Sequence, residues 1–182
     1  MGERGSRLAA QAEDQIAQLV EFMSGLSEAD LQIACPDDRG GSSVGSVAVH
    51  AGKGYGQAVR FLQALGIMLN DPSAVSGTQS QAYALMHGGR DHGHDHKHTG
   101  EHVHNLDETI TQLKADSVVA SEVLRKLTDE QYSLIPPAIG TMSDGRKNLE
   151  QVVESAVEHQ LAHLQRMQQA CADAQRLAKD PR

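Results

Sequence analysis

Residues 148–177 read NLEQVVESAVEHQLAHLQRMQQACADAQRL. Leu149, Val152, Ala156, His159, His163, Met167 and Ala170 recur there at steps of three and four, the period of a helix with one apolar face. Neither proline nor glycine interrupts the stretch, so it predicts one helix about 45 Å long. His159 and His163 fall on that stripe one turn apart, roughly 6 Å of rise, and project over the same turn. The stripe thus carries both a fold prediction and a chemical one.

Three further helices follow from the same period. Residues 6–26 place Leu8, Ala12, Ile16, Leu19, Met23 and Leu26 on one seam. Ser27 to Asp30 then looks like a helix cap and a short turn, and residues 36–41 are a connection. Ser43 is a good N-cap for a helix over residues 43–70, with Val44, Val47, Ala51, Tyr55, Ala58, Leu62, Leu65 and Leu69 on its seam. Asp71-Pro72 stops it. Gly52, Gly54 and Gly56 alternate inside this helix, at about 1 kcal/mol each relative to alanine. Close helix approach, room for a ligand or a local kink would each account for them. Residues 106–127 carry Leu106, Ile110, Leu113, Ala120, Leu124 and Leu127, and Thr128 opens a second capped turn. Pro136-Pro137, Gly140 and Asp144-Gly145 form the last loop.

Four long helices, no strand candidate and no internal repeat predict an all-α, single-domain four-helix bundle over residues 1–182. The short connections suit antiparallel neighbours in sequence order. Residues 72–105 have no apolar period. They read as a long, disordered, histidine-rich crossover between the second and third helices.

Composition narrows the function. The net charge of −8 excludes clustered phosphate recognition, so no nucleic-acid partner is expected. No apolar run reaches the ~20 residues of a membrane span, and the start MGERGSRLAAQAEDQ is polar. A cytoplasmic protein with no membrane partner is the expectation. Cys35 and Cys171 cannot make a disulfide framework. Cys171 lies ~12 Å along the helix from His163, too far to share a ligand, and Cys35 reads as an exposed thiol or loop filler. No Ser-His-Asp set, Cys-His set or carboxylate pair names a catalytic residue.

Ten histidines are out of proportion, and seven of them lie between His87 and His104. The other three are His50, on the flank of the second seam, and the pair His159 and His163. Two imidazoles at i and i+4 can bite one ion, and a third from a facing helix leaves positions open for water or substrate. Zinc, nickel, copper and iron all suit imidazole. Core histidines satisfied by hydrogen bonds are the alternative.

SVGSVAVH over residues 43–50 and NLEQVVESAVEHQLAH over residues 148–163 resemble the two signature stretches of the DinB/YfiT-like proteins. That resemblance implies a four-helix bundle with a long connection between helices 2 and 3. It also implies a metal triad of His50, His159 and His163, carrying zinc or nickel as the leading candidates, and often a homodimer. Members of the family include metal-dependent S-transferases and isomerases that use a low-molecular-weight thiol. The related sulfoxide synthases need a second domain and an acid two residues after the last histidine, where this chain has Gln165.

The insertion departs from that family. His92, His94, His96 and His98 alternate with Asp, Gly and Lys, flanked by His87, His102 and His104. Such a tract predicts secondary capture of Zn²⁺, Ni²⁺ or Cu²⁺, with a solvated loop or a pH sensor as alternatives. Two functions therefore compete. One is a metal-dependent enzyme acting on a small molecule. The other is a non-enzymatic metal buffer, chaperone or sensor whose partner is the ion itself.

Overall fold

The computed structural model describes residues 2–35, 43–70, 106–138 and 142–179, with backbone alone for 66–70. The regular elements among them are all helices: α1 (Glu3–Ser24), α2 (Glu28–Leu31), α3 (Val44–Asn70), α4 (Leu106–Lys126), α5 (Asp129–Tyr132) and α6 (Leu149–Lys179). The four long ones are those the periodicity predicts, each end within three residues of expectation. The insertion over residues 72–105 lies outside the described residues.

The two short helices are capping boxes. Ser27 Oγ accepts from the Asp30 backbone N–H at 3.2 Å while the Asp30 carboxylate accepts from the Ser27 N–H at 2.9 Å. Thr128 and Gln131 repeat the exchange at 3.3 and 2.9 Å. Each box satisfies backbone donors that a helix start leaves unpaired. The long helices that follow are capped alike. Ser43 exchanges bonds with Ser46, and Asn148 with Gln151.

These parallels reveal a repeat that the residues conceal. An offset of 101 residues carries Ser27 to Thr128 and Ile33 to Leu134, and both connections close alike. The Val44 N–H donates to the Ile33 carbonyl and the Leu149 N–H to the Leu134 carbonyl, each at 2.9 Å. The same offset maps the buried Ala12, Leu19 and Met23 of α1 onto the buried Leu113, Ala120 and Leu124 of α4. An offset of 105 maps Val44, Val47, Val59 and Leu62 of α3 onto Leu149, Val152, Leu164 and Met167 of α6. Identities differ while the burial pattern is kept, which is why inspection of the sequence finds no repeat.

Helix directions follow from named contacts. Arg7 pairs with Glu150 and Glu154, so α1 and α6 run parallel. Gly5 abuts the Leu124 carbonyl, so α1 and α4 are antiparallel. Gly52 lies against Thr109 and Gly56 against Asp116, making α3 and α4 parallel, whereas Gly54 faces Gln160 and α3 opposes α6. Each of α1 and α3 packs on both α4 and α6. This corrects the expectation that the first and second long helices, and the third and fourth, are principal neighbours. The connections over residues 25–43 and 127–148 each carry a capped turn of their own, and so can cross between helices that are not principal partners. Parallel α3 and α4 also demand a link that returns roughly 30 Å, which the 35 residues from 71 to 105 can span.

The apolar core falls into two clusters. One joins Leu8, Phe61, Leu65, Leu124 and Leu149; the other joins Leu19, Met23, Val44, Leu113 and Met167. Four buried polar residues, Gln15, Ser121, Gln160 and His163, lie along their helices between members of the two clusters.

Candidate metal centre

His50 sits early in α3 and the other two histidines at the middle of α6. Because these helices are antiparallel and close, the three rings converge. Their ligand nitrogens all lie within 4.8 Å of one another. His159 Nε2 and His163 Nε2 are 3.0 Å apart. The rings of His50 and His163 meet edge to face at a centroid distance of 5.1 Å, and those of His159 and His163 at 4.5 Å.

Two imidazole nitrogens at 3.0 Å share either one proton or one cation. Tetrahedral zinc, with Zn–N bonds of about 2.0–2.1 Å, sets its nitrogens roughly 3.4 Å apart. The three rings therefore reach a common ion with small rotations, and the donor set fits a divalent metal. Three neutral imidazoles leave at least one tetrahedral position for another ligand.

Exposure refines the sequence reading. Only His163 is buried, at 8 % exposed, whereas His50 and His159 are exposed. The buried residues of α6 are Leu149, Val152, Val153, Gln160, His163, Leu164, Met167 and Cys171, so the expected seam holds at Leu149, Val152, His163 and Met167 and widens toward Val153, Gln160, Leu164 and Cys171. His159 thus falls on its flank. The cluster opens to solvent between α3 and α6 and is not sealed in the core, as an ion that exchanges ligands requires.

A cavity of about 260 Å³ adjoins the histidines. His50, His159, Gly54 and Gln160 line it together with apolar walls that include Phe61, Leu62, Val153 and Met142. The alternating glycines now separate by role. Gly52 and Gly56 let α4 approach, since a Cβ at residue 56 would sit 3.0 Å from Asp116 Oδ2. Gly54 faces the cavity and Gln160 instead.

Tyr55, Gln15 and Gln160 escaped the motif reading. Tyr55 is buried beside the cavity, and burial, with the negative charges of Asp116 and Glu13 behind it, pushes its phenol pKa up, so the hydroxyl stays protonated. Gln160 is 5 % exposed and its Oε1 has no hydrogen-bond partner among the described residues; both amide atoms of the buried Gln15 are likewise unpartnered among them. An unmet buried polar atom costs about 1–3 kcal/mol. A chain selected for packing alone would carry leucine at these positions. The available signal was a glutamine inside an apolar stripe, at 8-12-15-19 on α1 and 153-160-164 on α6.

The cysteines are placed differently from expectation. Cys35 is fully buried and shares an apolar cluster with Cys171, neither exposed nor loop filler, because the α2 connection folds back on α3. The two cysteines form no disulfide, and burial pushes the Cys171 thiol pKa up. His87, His92, His94, His96, His98, His102 and His104 lie outside the described residues. Among the described residues, no helix is long and apolar enough to cross a membrane. Comparison with known protein families, curated proteins and solved structures finds no match to this chain.

Proposed function

We propose that this is a DinB/YfiT-like four-helix-bundle protein that holds one divalent ion, zinc or nickel, on His50, His159 and His163. The observation that carries the reading is the convergence of three imidazoles within 4.8 Å at the mouth of a cavity. On this reading the protein is a metal-dependent S-transferase or isomerase using a low-molecular-weight thiol. An ion bound there supplies the positive charge that lowers a thiol's pKa. The chain's own part is to orient three imidazoles, admit the thiol from the solvent side and hold the second reactant in the cavity away from water.

The test is optical. Cobalt-substituted protein should gain a sulfur-to-metal charge-transfer band on addition of 2-mercaptoethanol, and the band should be as strong after replacement of residues 88–103 by a Gly/Ser linker. An unchanged spectrum would end the thiol reading. Seven histidines between His87 and His104 favour a second reading, a metal buffer, chaperone or sensor. That reading predicts that the linker variant loses nearly all its metal capacity.

A further inference from the structure

We propose that the cavity beside the histidines receives a neutral, largely apolar small molecule bearing one hydrogen-bond donor, and that Gln160 selects it by accepting that bond. The walls carry this assignment. Most of the lining is apolar, with Phe61, Leu62, Val152, Val153 and Val157 among its larger side chains; His50, Tyr55, Gln57, His159 and Gln160 are its polar members, and among the described residues none that line it is Asp, Glu, Lys or Arg. A charged guest would surrender its hydration with no opposite charge to replace it. At about 260 Å³ the space lies just below the usual range for ligand pockets, enough for one fused ring system or a short branched chain.

Gln160 gives the selectivity. It lines the cavity, is almost fully buried, and its Oε1 accepts no hydrogen bond from the described residues. Opposite it, Gly54 brings backbone in place of a side chain; a Cβ at residue 54 would lie 3.1 Å from Gln160 Nε2. The carboxamide is held against that backbone with its Oε1 shielded, and a turn of the side chain toward the cavity is what would present the acceptor to a guest. A molecule without a donor leaves that acceptor unmet and binds more weakly.

This inference deepens the metal reading, since it assigns the reactant that faces the ion, and rests on it only for that encounter. Its test needs no metal. With EDTA present, indole and benzothiophene are titrated into the full-length protein and followed by the Met142 methyl resonance. The two probes are closely similar in outline, and only indole has an N–H. We expect indole to bind about tenfold more tightly, and the ratio to fall to near one in Gln160→Leu. Equal affinities in the unmodified protein overturn the proposal, a result that does not depend on whether the variant folds. So does a preference that survives Gln160→Leu, or binding that leaves Met142 unshifted. Absence of a cobalt–thiol band would sink the metal reading and leave this result standing.

Discussion

The two halves of the molecule, residues 3–70 and 106–179, use one plan and diverge at one level. In each, a long helix ends in a capping box, the chain closes on a 2.9 Å backbone bond, and a second capped helix follows. α1 packs on its counterpart α4 and α3 on its counterpart α6, as a pseudo-twofold requires. Superimposed by the 105-residue offset, His159 and His163 of α6 fall on Gly54 and Ala58 of α3. His50 falls on Ser155, and Gln160 on Tyr55. The scaffold is symmetric where it packs and asymmetric where it holds histidines. Burial tolerates many apolar identities, so the repeated positions drifted apart without changing class. A metal site admits few identities, and a triad drawn as one plus two cannot obey a twofold axis.

The largest effect expected from this comparison is on metal. His163→Ala should weaken zinc binding by about 100-fold or more, beyond the usual effect of an outer-shell change, with helical content retained. Isothermal titration and far-ultraviolet circular dichroism on one sample check both parts. Zinc affinity equal to that of the unmodified protein would detach the second half from the site.

Next in size is a packing effect unique to the first half. A Cβ at Gly5 would lie 2.5 Å from the Leu124 carbonyl oxygen, while its counterpart on α4 is Leu106. Gly5→Ala should destabilise by about 1–2 kcal/mol, because overpacking against backbone outweighs the ~1 kcal/mol gain in helix propensity. A urea midpoint that rises would show the helices free to separate. Tyr132 holds that corner by donating from Oη to the Leu124 carbonyl at 2.6 Å. Tyr132→Phe should cost about 1 kcal/mol by the same measurement.

The caps should respond equally. Ser27→Ala and Thr128→Ala are each expected to cost about 1 kcal/mol; a large inequality would show that one connection carries more of the fold.

The smallest effect is a pH dependence of both caps, through Asp30 in the first and, in the second, Glu130, whose carboxyl its own backbone N–H and then the Thr128 hydroxyl hold low. The Ser27 hydroxyl, and then its backbone N–H, hold the Asp30 carboxyl below its ordinary range. A depressed folded pKa contributes stability above the unfolded value, near 4, which is lost as pH falls through the folded one. Gln131, at the matching place in the second box, does not titrate. Asp30→Asn should therefore flatten the fall in stability below about pH 4, and Gln131→Asp should steepen it.

Much of this was legible in the chain. Apolar steps of three and four gave all four long helices, because a 3.6-residue period leaves a trace that survives loss of identity. The capped turns at Ser27 and Thr128 and the N-cap at Ser43 were also readable, since a side-chain cap needs a particular residue at a particular place. Neighbour relations were not. Helix order depends on how α2 and α5 carry the chain across, and loop length alone does not decide that. His50, His159 and His163 were found by residue type and spacing, and His163 is buried as expected, yet His50 and His159 are exposed, because both stand at the edge of a buried face, where counting steps of three and four does not tell flank from core. Gln15 and Gln160 showed in one dimension only as glutamines inside an apolar stripe, as their meaning lies in the packing and the unmet polar atoms around them.

The central claim is that three imidazoles from two helices hold one ion with a position left open. X-ray absorption spectroscopy of the zinc-loaded protein, with residues 88–103 replaced by a Gly/Ser linker, tests it most directly. We expect one zinc per chain with three imidazole nitrogens at about 2.0–2.1 Å and one exchangeable oxygen ligand. A folded linker variant that retains no zinc, or holds it with fewer than three imidazoles, would contradict the account.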